Sequence, residues 1–255
     1  MKLYLNLPLK KMFIIKPYIF QQFPEIIFGF STKIGGNGKS AFGFNLSYSV
    51  GDDKETVDLN RKSFFNTIGL DLDSVAFQKQ THSDIIKIVD LAGNNGESDA
   101  LITSETNLGL AITIADCTPI FIYDRNNKVV AGVHSGWRGT EQKILAKTLL
   151  LMKEKYDTKP ENIFAYIGPS VSVNNYEVGK EVAEKFNNKY VVTTNGKLFL
   201  DVSKHNLDML MDFGIPQNQI QKSKLCTYEF NSLLHSYRKD REKSGRSLGV
   251  IGLKE

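Results

Sequence analysis

The sequence predicts an α+β protein built from mixed or antiparallel sheets, and three observations carry that prediction. Apolar runs come in hairpin-spaced pairs: residues 120–123 and 129–133 flank the turn "DRNNK", and "YVVTTNGKLFLDV" doubles back at Asn195-Gly196. Longer segments with apolar residues at helical spacing lie between such runs. The two kinds of element do not alternate with the regularity of a doubly wound βαβ fold.

Taken in order, residues 26–33, "IIFGFSTK", predict a strand running into the loop "IGGNGKSAFGFN". Gly35, Gly36, Gly38 and Gly43 let that loop turn tightly and approach a ligand. "DDKETVDLNRKSFFNTIGL" opens with acids, spaces Val57, Phe64, Phe65 and Ile68 for one helical face, and stops at Gly69, which predicts a helix of three or four turns. Residues 74–90 give two β-rich pieces with Gln80, Thr81 and His82 at their joint. Residues 111–114 and 120–123 predict strands on either side of Asp116-Cys117, and residues 129–133 return antiparallel. In "TEQKILAKTLLLMKEKY", Thr140 is a cap candidate, and Ile144, Leu145, Leu149 and Met152 form the stripe of a helix that covers a sheet. "NIFAYIGP" predicts a strand and "YEVGKEVAEKFNN" a helix. "HSYRKDREKSGR" is charged enough to predict an exposed loop, with Arg238 able to turn back towards a site. There is no repeat and no linker, so residues 1–255 read as one domain.

With 41% hydrophobic and 24% charged residues the chain can bury a full core and is not a disordered or fibrous type. A formal charge of +4 fits a small anionic substrate as well as a nucleic-acid surface, so charge alone decides nothing. Cys117 and Cys226, the only cysteines, are too few for a secreted disulfide scaffold and read as reduced thiols. Lys2, Lys10, Lys11 and Lys16 interrupt the first apolar residues, and Asp116 interrupts the longest apolar stretch, so neither a signal peptide nor a membrane span is expected. The expected setting is the cytoplasm, with no membrane or nucleic acid as partner, and the sequence points to no particular partner protein.

His82, Cys117 and His134 each fall at a predicted strand end beside small or polar residues. Two imidazoles and a thiolate are a borderline-soft set that suits zinc with an open fourth position. The same residues suit a Cys117 nucleophile with a histidine base, and Asp116 or another polar group to orient it. Cys117 could equally be a small buried side chain, since no CxxC or HxxxH spacing surrounds it. Asn45, Arg61, Arg138, Arg238 and Arg246 are candidate donors to a phosphate or carboxylate, with Arg61 and Asn45 able to meet at one anion if the loop folds over the helix. Trp137 reads as packing after His134. Neither a GxxxxGK[ST] loop nor the HxE…PCxxC deaminase pattern is present.

The ordered series "FSTKIGG", "NLSYSVGD", "NRK", "QTH", "SDALIT", "ADCTPI", "VHSGWRG", "IGPSVSVNNYEVG", "CTYEF" and "SYRKD" followed by "GR" resembles the YfiH family, long labelled polyphenol oxidase or laccase-domain proteins, over about residues 26–253. The resemblance implies a single α/β/β/α sandwich similar to that of cysteine-dependent toxin deamidases. It implies purine nucleoside phosphorylase activity on adenosine, inosine and methylthioadenosine with phosphate, together with adenosine deamination. It places the family's metal on His82, Cys117 and His134, with zinc expected before copper, and leaves Asp116 as a candidate proton shuttle. Ser135 replaces the family's usual alanine, Leu234-His235 its aromatic residues, and Lys239 a frequent second arginine. A metal-free cysteine hydrolase and a copper-dependent polyphenol oxidase are the competing readings. Four histidines are too few for multicopper chemistry.

Overall fold

A computed structural model of the chain describes residues 11–36 and 40–255; Gly38 of the glycine loop, and Lys2 and Lys10, lie outside the described residues. Two six-stranded mixed sheets stack face to face. Sheet one runs Ile14–Ile15, Ile26–Ser31, Ser247–Leu253, Gly109–Ile114, Val75–Lys79, Gly93–Glu97. Sheet two runs Ile220–Lys222, Ile163–Ile167, Thr118–Asp124, Val129–Ser135, Ala100–Thr103, Ile86–Ile88. The fold is the predicted α+β sandwich with mixed sheets.

Three apolar layers follow from the pleat. Alternate residues of the central strands point to opposite faces, so strands covered on both sides are apolar throughout. Between the sheets, Phe28, Phe30, Leu110 and Ile112 of sheet one meet Phe121, Tyr123 and Phe164 of sheet two. Phe28 and Phe121 cross the interface edge to face, centroids 5.0 Å apart. Gly249 makes this approach possible, since a Cβ there would fall 2.2 Å from Phe121 Cζ. On the outer face of sheet one, the helix Lys54–Ile68 buries Val57, Phe64, Phe65 and Ile68. On the outer face of sheet two, Ile144–Tyr156 and Val202–Asp212 bury Leu145, Leu149, Met152 and Leu210. Each such side chain contributes about 1.5–3 kcal/mol by leaving water.

The helix Lys54–Ile68 has the caps its sequence implies: Asp53 accepts from Thr56 N–H, and Gly69 takes the left-handed conformation at φ 85°. The Asn195-Gly196 turn joins Val191–Thr194 to Lys197–Leu200, with both turn residues at positive φ, as a type I′ hairpin requires.

Four local expectations are corrected. Thr140 does not cap the long helix: it lies buried inside the short helix Trp137–Glu141, bonded to Ser135 Oγ at 2.7 Å and to Asn206. Ile144–Tyr156 starts after Lys143, whose left-handed conformation at φ 62° breaks the two apart. Only Lys180–Ala183 of "YEVGKEVAEKFNN" is helical, because Glu177–Val178 pairs with Lys197–Leu200 as an edge strand and Gly179 follows it. The charged segment from His235 is exposed at Tyr237, Lys239 and residues 241–243 as expected, but it is not a plain loop: Ser236 caps the helix Tyr237–Asp240, and His235, Ser236 and Ser244 are buried.

Candidate active site

At each of the two polar joints the chain crosses from one sheet to the other. Val75–Lys79 belongs to sheet one and Ile86–Ile88 to sheet two, so Gln80, Thr81 and His82 lie in the crossing between them. Gly109–Ile114 and Thr118–Asp124 are likewise split between the sheets, with Asp116 and Cys117 between them. His134 stands near the end of Val129–Ser135, in register with Pro119. The sandwich therefore brings both crossings and one strand end to one edge. Their ligand atoms all lie within 4.8 Å of one another.

The backbone is shaped to make this meeting. His82 and Asp116 adopt positive φ, 60° and 87°, a conformation that side-chain-bearing residues rarely hold without surrounding support. For His82 the support is Asp99, a buried carboxylate that accepts from the backbone N–H groups of Thr81, His82 and Ser83 and from Ser83 Oγ. Asp99 also accepts from His134 Nδ1 at 2.8 Å, which leaves Nε2 for chemistry. For Asp116 the support is Thr227 Oγ1 at 2.6 Å and Arg238 N–H at 2.6 Å, one on each carboxylate oxygen. Asp116 thus straps the helix carrying Arg238 to the Cys117 crossing.

Electrostatics follow from these contacts. Burial alone would raise the Cys117 thiol, but the facing His134 and His82 outweigh it and lower it to about 6. Burial would lower His134, but Cys117 and Asp99 raise it to about 9, so without a metal the pair is a thiolate and an imidazolium. Burial would raise Asp99 too; hydrogen bonds from His134 and Ser83 overcome it and hold the carboxyl at about 2.

The donors fit a metal. Zinc sits about 2.3 Å from sulfur and about 2.0–2.1 Å from nitrogen, so tetrahedral ligation separates the two donors by about 3.6 Å. Cys117 Sγ and His82 Nε2 are 3.8 Å apart. Gly136 borders the space: a Cβ there would come within 3.1 Å of both Cys117 Sγ and His82 Cδ2.

A cleft of about 970 Å³ opens onto the trio, lined by Arg61, Arg138, Arg238, Arg241 and Arg246. Aromatic faces hold four of these guanidinium groups: Arg61 lies between Tyr48 and Phe77, Arg138 on Trp137, Arg238 on Tyr176 and Arg246 on Tyr237. Trp137, expected only to pack, lines the cleft as well. Asn45 does not. It is fully buried, its amide donating to Ser47 O and Asp52 while its oxygen accepts from Ser47 and Arg246 N–H, so no donor is left for an anion shared with Arg61. Its role is to shape the loop behind the cleft.

Sequence reading assigned no role to Asp99 or Tyr176. Asp99 stands in "SDALIT" with nothing nearby in sequence to mark its partners, which are 16–18 and 35 residues away. Tyr176 lines the cleft, and burial first, then the negative charge of Cys117, raises its phenol well above the ordinary range, so it stays protonated as a donor.

A mixed-sheet sandwich with a Cys/His₂ trio at the foot of an arginine-lined cleft defines a metal-capable enzyme site. Sequence and structure comparisons agree on the family. The chain belongs to the family described as "Multi-copper polyphenol oxidoreductase laccase", whose model matches residues 27–254. It is 35% identical over 233 residues to a purine nucleoside phosphorylase of Corynebacterium glutamicum, covering 88% of this chain and 93% of that one. It is 34% identical over 249 residues to the purine nucleoside phosphorylase YlmD of Bacillus subtilis, covering 91% and 90%. The crystal structure of Bacillus licheniformis YfiH superposes with a TM-score of 0.86 at 33% identity, covering 95% and 96%. Among the described residues no helix is long and apolar enough to cross a membrane.

Proposed function

We propose that this protein is a cytoplasmic zinc enzyme that cleaves purine nucleosides with phosphate to the free base and ribose 1-phosphate. Adenosine, inosine and methylthioadenosine are its substrates, and adenosine deamination is a second reaction at the same site. The observation that carries this reading is the arginine-lined cleft with aromatic walls that opens onto the His82, Cys117 and His134 donors. The names of the relatives supply the substrate class.

Phosphorolysis asks for an anion held against C1′, a transition state with cationic sugar character, and a stabilised departing purine. Arg138, four residues after His134, and Arg238, whose N–H is bonded to Asp116, stand beside the trio and hold the attacking phosphate. Trp137 and Tyr176 form the aromatic wall beside the purine, and the protonated Tyr176 phenol donates to the leaving base. Asp116, with both oxygens engaged, keeps Arg238 in position, and this favours a positioning role over the proton shuttle. His82, Cys117 and His134 hold the zinc, with Asp99 fixing the His134 tautomer. Bound there, zinc supplies a Lewis acid that makes water nucleophilic near neutral pH, the requirement of deamination.

Copper oxidation is disfavoured by the donors. His205 stacks on Tyr190 at 4.1 Å and His235 is bonded to Phe44 O, which leaves two histidines for a single metal and none for a copper cluster. A metal-free cysteine hydrolase has one observation in its favour: Cys117, His134 and Asp99 stand in the order of a nucleophile, base and orienting acid. Metal analysis of protein purified without added metal, with adenosine and phosphate turnover followed by chromatography, separates the readings. Stoichiometric zinc and phosphate-dependent adenine release, both lost to a chelator, support the proposal. Full activity without metal sinks it.

A further inference from the structure

The cleft carries more positive charge than the proposed reaction uses. Five of the six arginines line it against the single carboxylate of Asp116, while Lys79 on the same wall is paired with Glu97. Among the described residues none of these arginines forms an ion pair; every ion pair is made by a lysine or by His134. A purine nucleoside is neutral, and one phosphate brings at most about two negative charges. Unpaired guanidinium groups clustered in one cleft are costly unless a larger anion answers them.

Three of them stand at different places on the wall. Arg138 and Arg238 flank the trio. Arg61 stands on Phe77, five residues before His82, and an extended chain separates those positions by up to about 16 Å. Arg61 is fixed in place there. Its Nε donates to Leu46 O at 2.8 Å, and the guanidinium is clamped between Tyr48 at 4.1 Å and Phe77 at 4.5 Å, so its remaining donors are preorganised. Ser47 and Ser49 line the same wall, their hydroxyls 2.9 Å apart. Asp58, the nearest acid on its helix, is taken up by Tyr48 and Lys54.

We propose that Arg61, with Ser47 and Ser49, forms a second anion subsite, and that the cleft accepts purine nucleosides carrying a phosphate on the ribose 5′-oxygen. The proposal rests on the phosphorolysis reading and extends its substrate class. In the reaction an oxygen of inorganic phosphate, held by Arg138 and Arg238, bonds to C1′ as the C1′–N9 bond breaks. The electron pair leaves with the purine, which takes up a proton, and the products are free purine and ribose 1,5-bisphosphate.

The test is calorimetric titration of the full-length zinc-loaded protein with adenosine 5′-monophosphate and with adenosine, in the wild type, Arg61→Ala and Arg61→Lys. Turnover of both with phosphate is followed by chromatography and phosphorus NMR. The nucleotide is expected to bind at least tenfold more tightly than adenosine and to yield ribose 1,5-bisphosphate. Arg61→Ala should weaken nucleotide binding tenfold or more and adenosine binding less than threefold. Arg61→Lys, which keeps the stem and the charge, should show the same bias if the alanine variant does not fold. Equal damage to both substrates assigns Arg61 to the attacking phosphate and overturns the proposal. Adenosine phosphorolysis without any nucleotide preference overturns it while leaving the phosphorolysis reading intact. Adenine release from neither compound removes both.

Discussion

Asp99 Oδ1 lies 2.8 Å from His134 Nδ1, and the same carboxylate accepts the backbone N–H groups of residues 81–83. One buried acid thereby sets the tautomer of one metal donor and the backbone of another. Asp99→Ala should weaken zinc binding about 10- to 100-fold, the range for lost partners of metal-bound histidines. Asp99→Asn, which keeps an acceptor for His134, should fall between. Competition against a chromophoric chelator measures both, and unchanged affinity in a folded Asp99→Ala variant refutes the role.

Gly136 lies against the trio, and an added methyl would press on Cys117 Sγ and His82 Cδ2, both 3.1 Å away. Its φ of −74° is open to any residue, so Gly136→Ala carries no backbone strain. The variant should therefore melt within a few degrees of the wild type while binding zinc at least tenfold more weakly. Normal zinc affinity would show that the trio has room to relax.

Cys117→Ala should abolish zinc retention and turnover while preserving cooperative unfolding, because the trio lies at the sandwich edge and the three apolar layers do not depend on it. Cys226→Ser is the matching control. Its thiol accepts from Ser172 N–H at 3.3 Å and does not line the cleft, so turnover should persist. Metal analysis, melting curves and turnover on the two variants decide it. Loss of activity in a stable Cys226→Ser protein would overturn the assignment.

His235 gives the fold an acid limit. Burial, with Lys33 and Arg246 nearby, lowers its imidazole from 6.5 to about 4, although the bond to Phe44 O opposes the shift. The folded state thus holds a neutral His235 where the unfolded chain takes up a proton. The stability is whole above about pH 6.5 and is lost as pH falls from there towards 4. At about 1.4 kcal/mol per pH unit the loss reaches about 3 kcal/mol. His235→Phe, with chelator present in both samples to remove metal effects, should flatten urea-denaturation stability over that window. Equal slopes in the two proteins would clear His235 of the effect.

Much of the site was legible because its donor residues are chemically distinctive and stand at polar joints between apolar runs. His82, Cys117 and His134 could be named from "QTH", "ADC" and "HSGWRG". Other elements read correctly where one local signal decided them, as with the opening acids and the Gly69 stop of the helix Lys54–Ile68 or the Asn195-Gly196 turn. Thr140 misled because its hydroxyl, well placed for a cap, bonds instead to Ser135 and to Asn206, which is 66 residues away. The segment after Gly179 misled because helical spacing of apolar residues says nothing about a sheet edge that claims the residues before it.

The sequence by itself determined the elements, the apolar faces they bury and the kinds of donor available, since these depend on neighbours within a few residues. Only the tertiary structure decided that the joints at His82 and at Asp116-Cys117 are crossings between two sheets and therefore meet. It alone turned Asp99 towards His134, spent the Asn45 amide inside the loop, and gathered five arginines around one cleft. Each of these depends on contacts between residues far apart in the chain, where no local propensity reaches and only the packing of one sheet on the other fixes the partners.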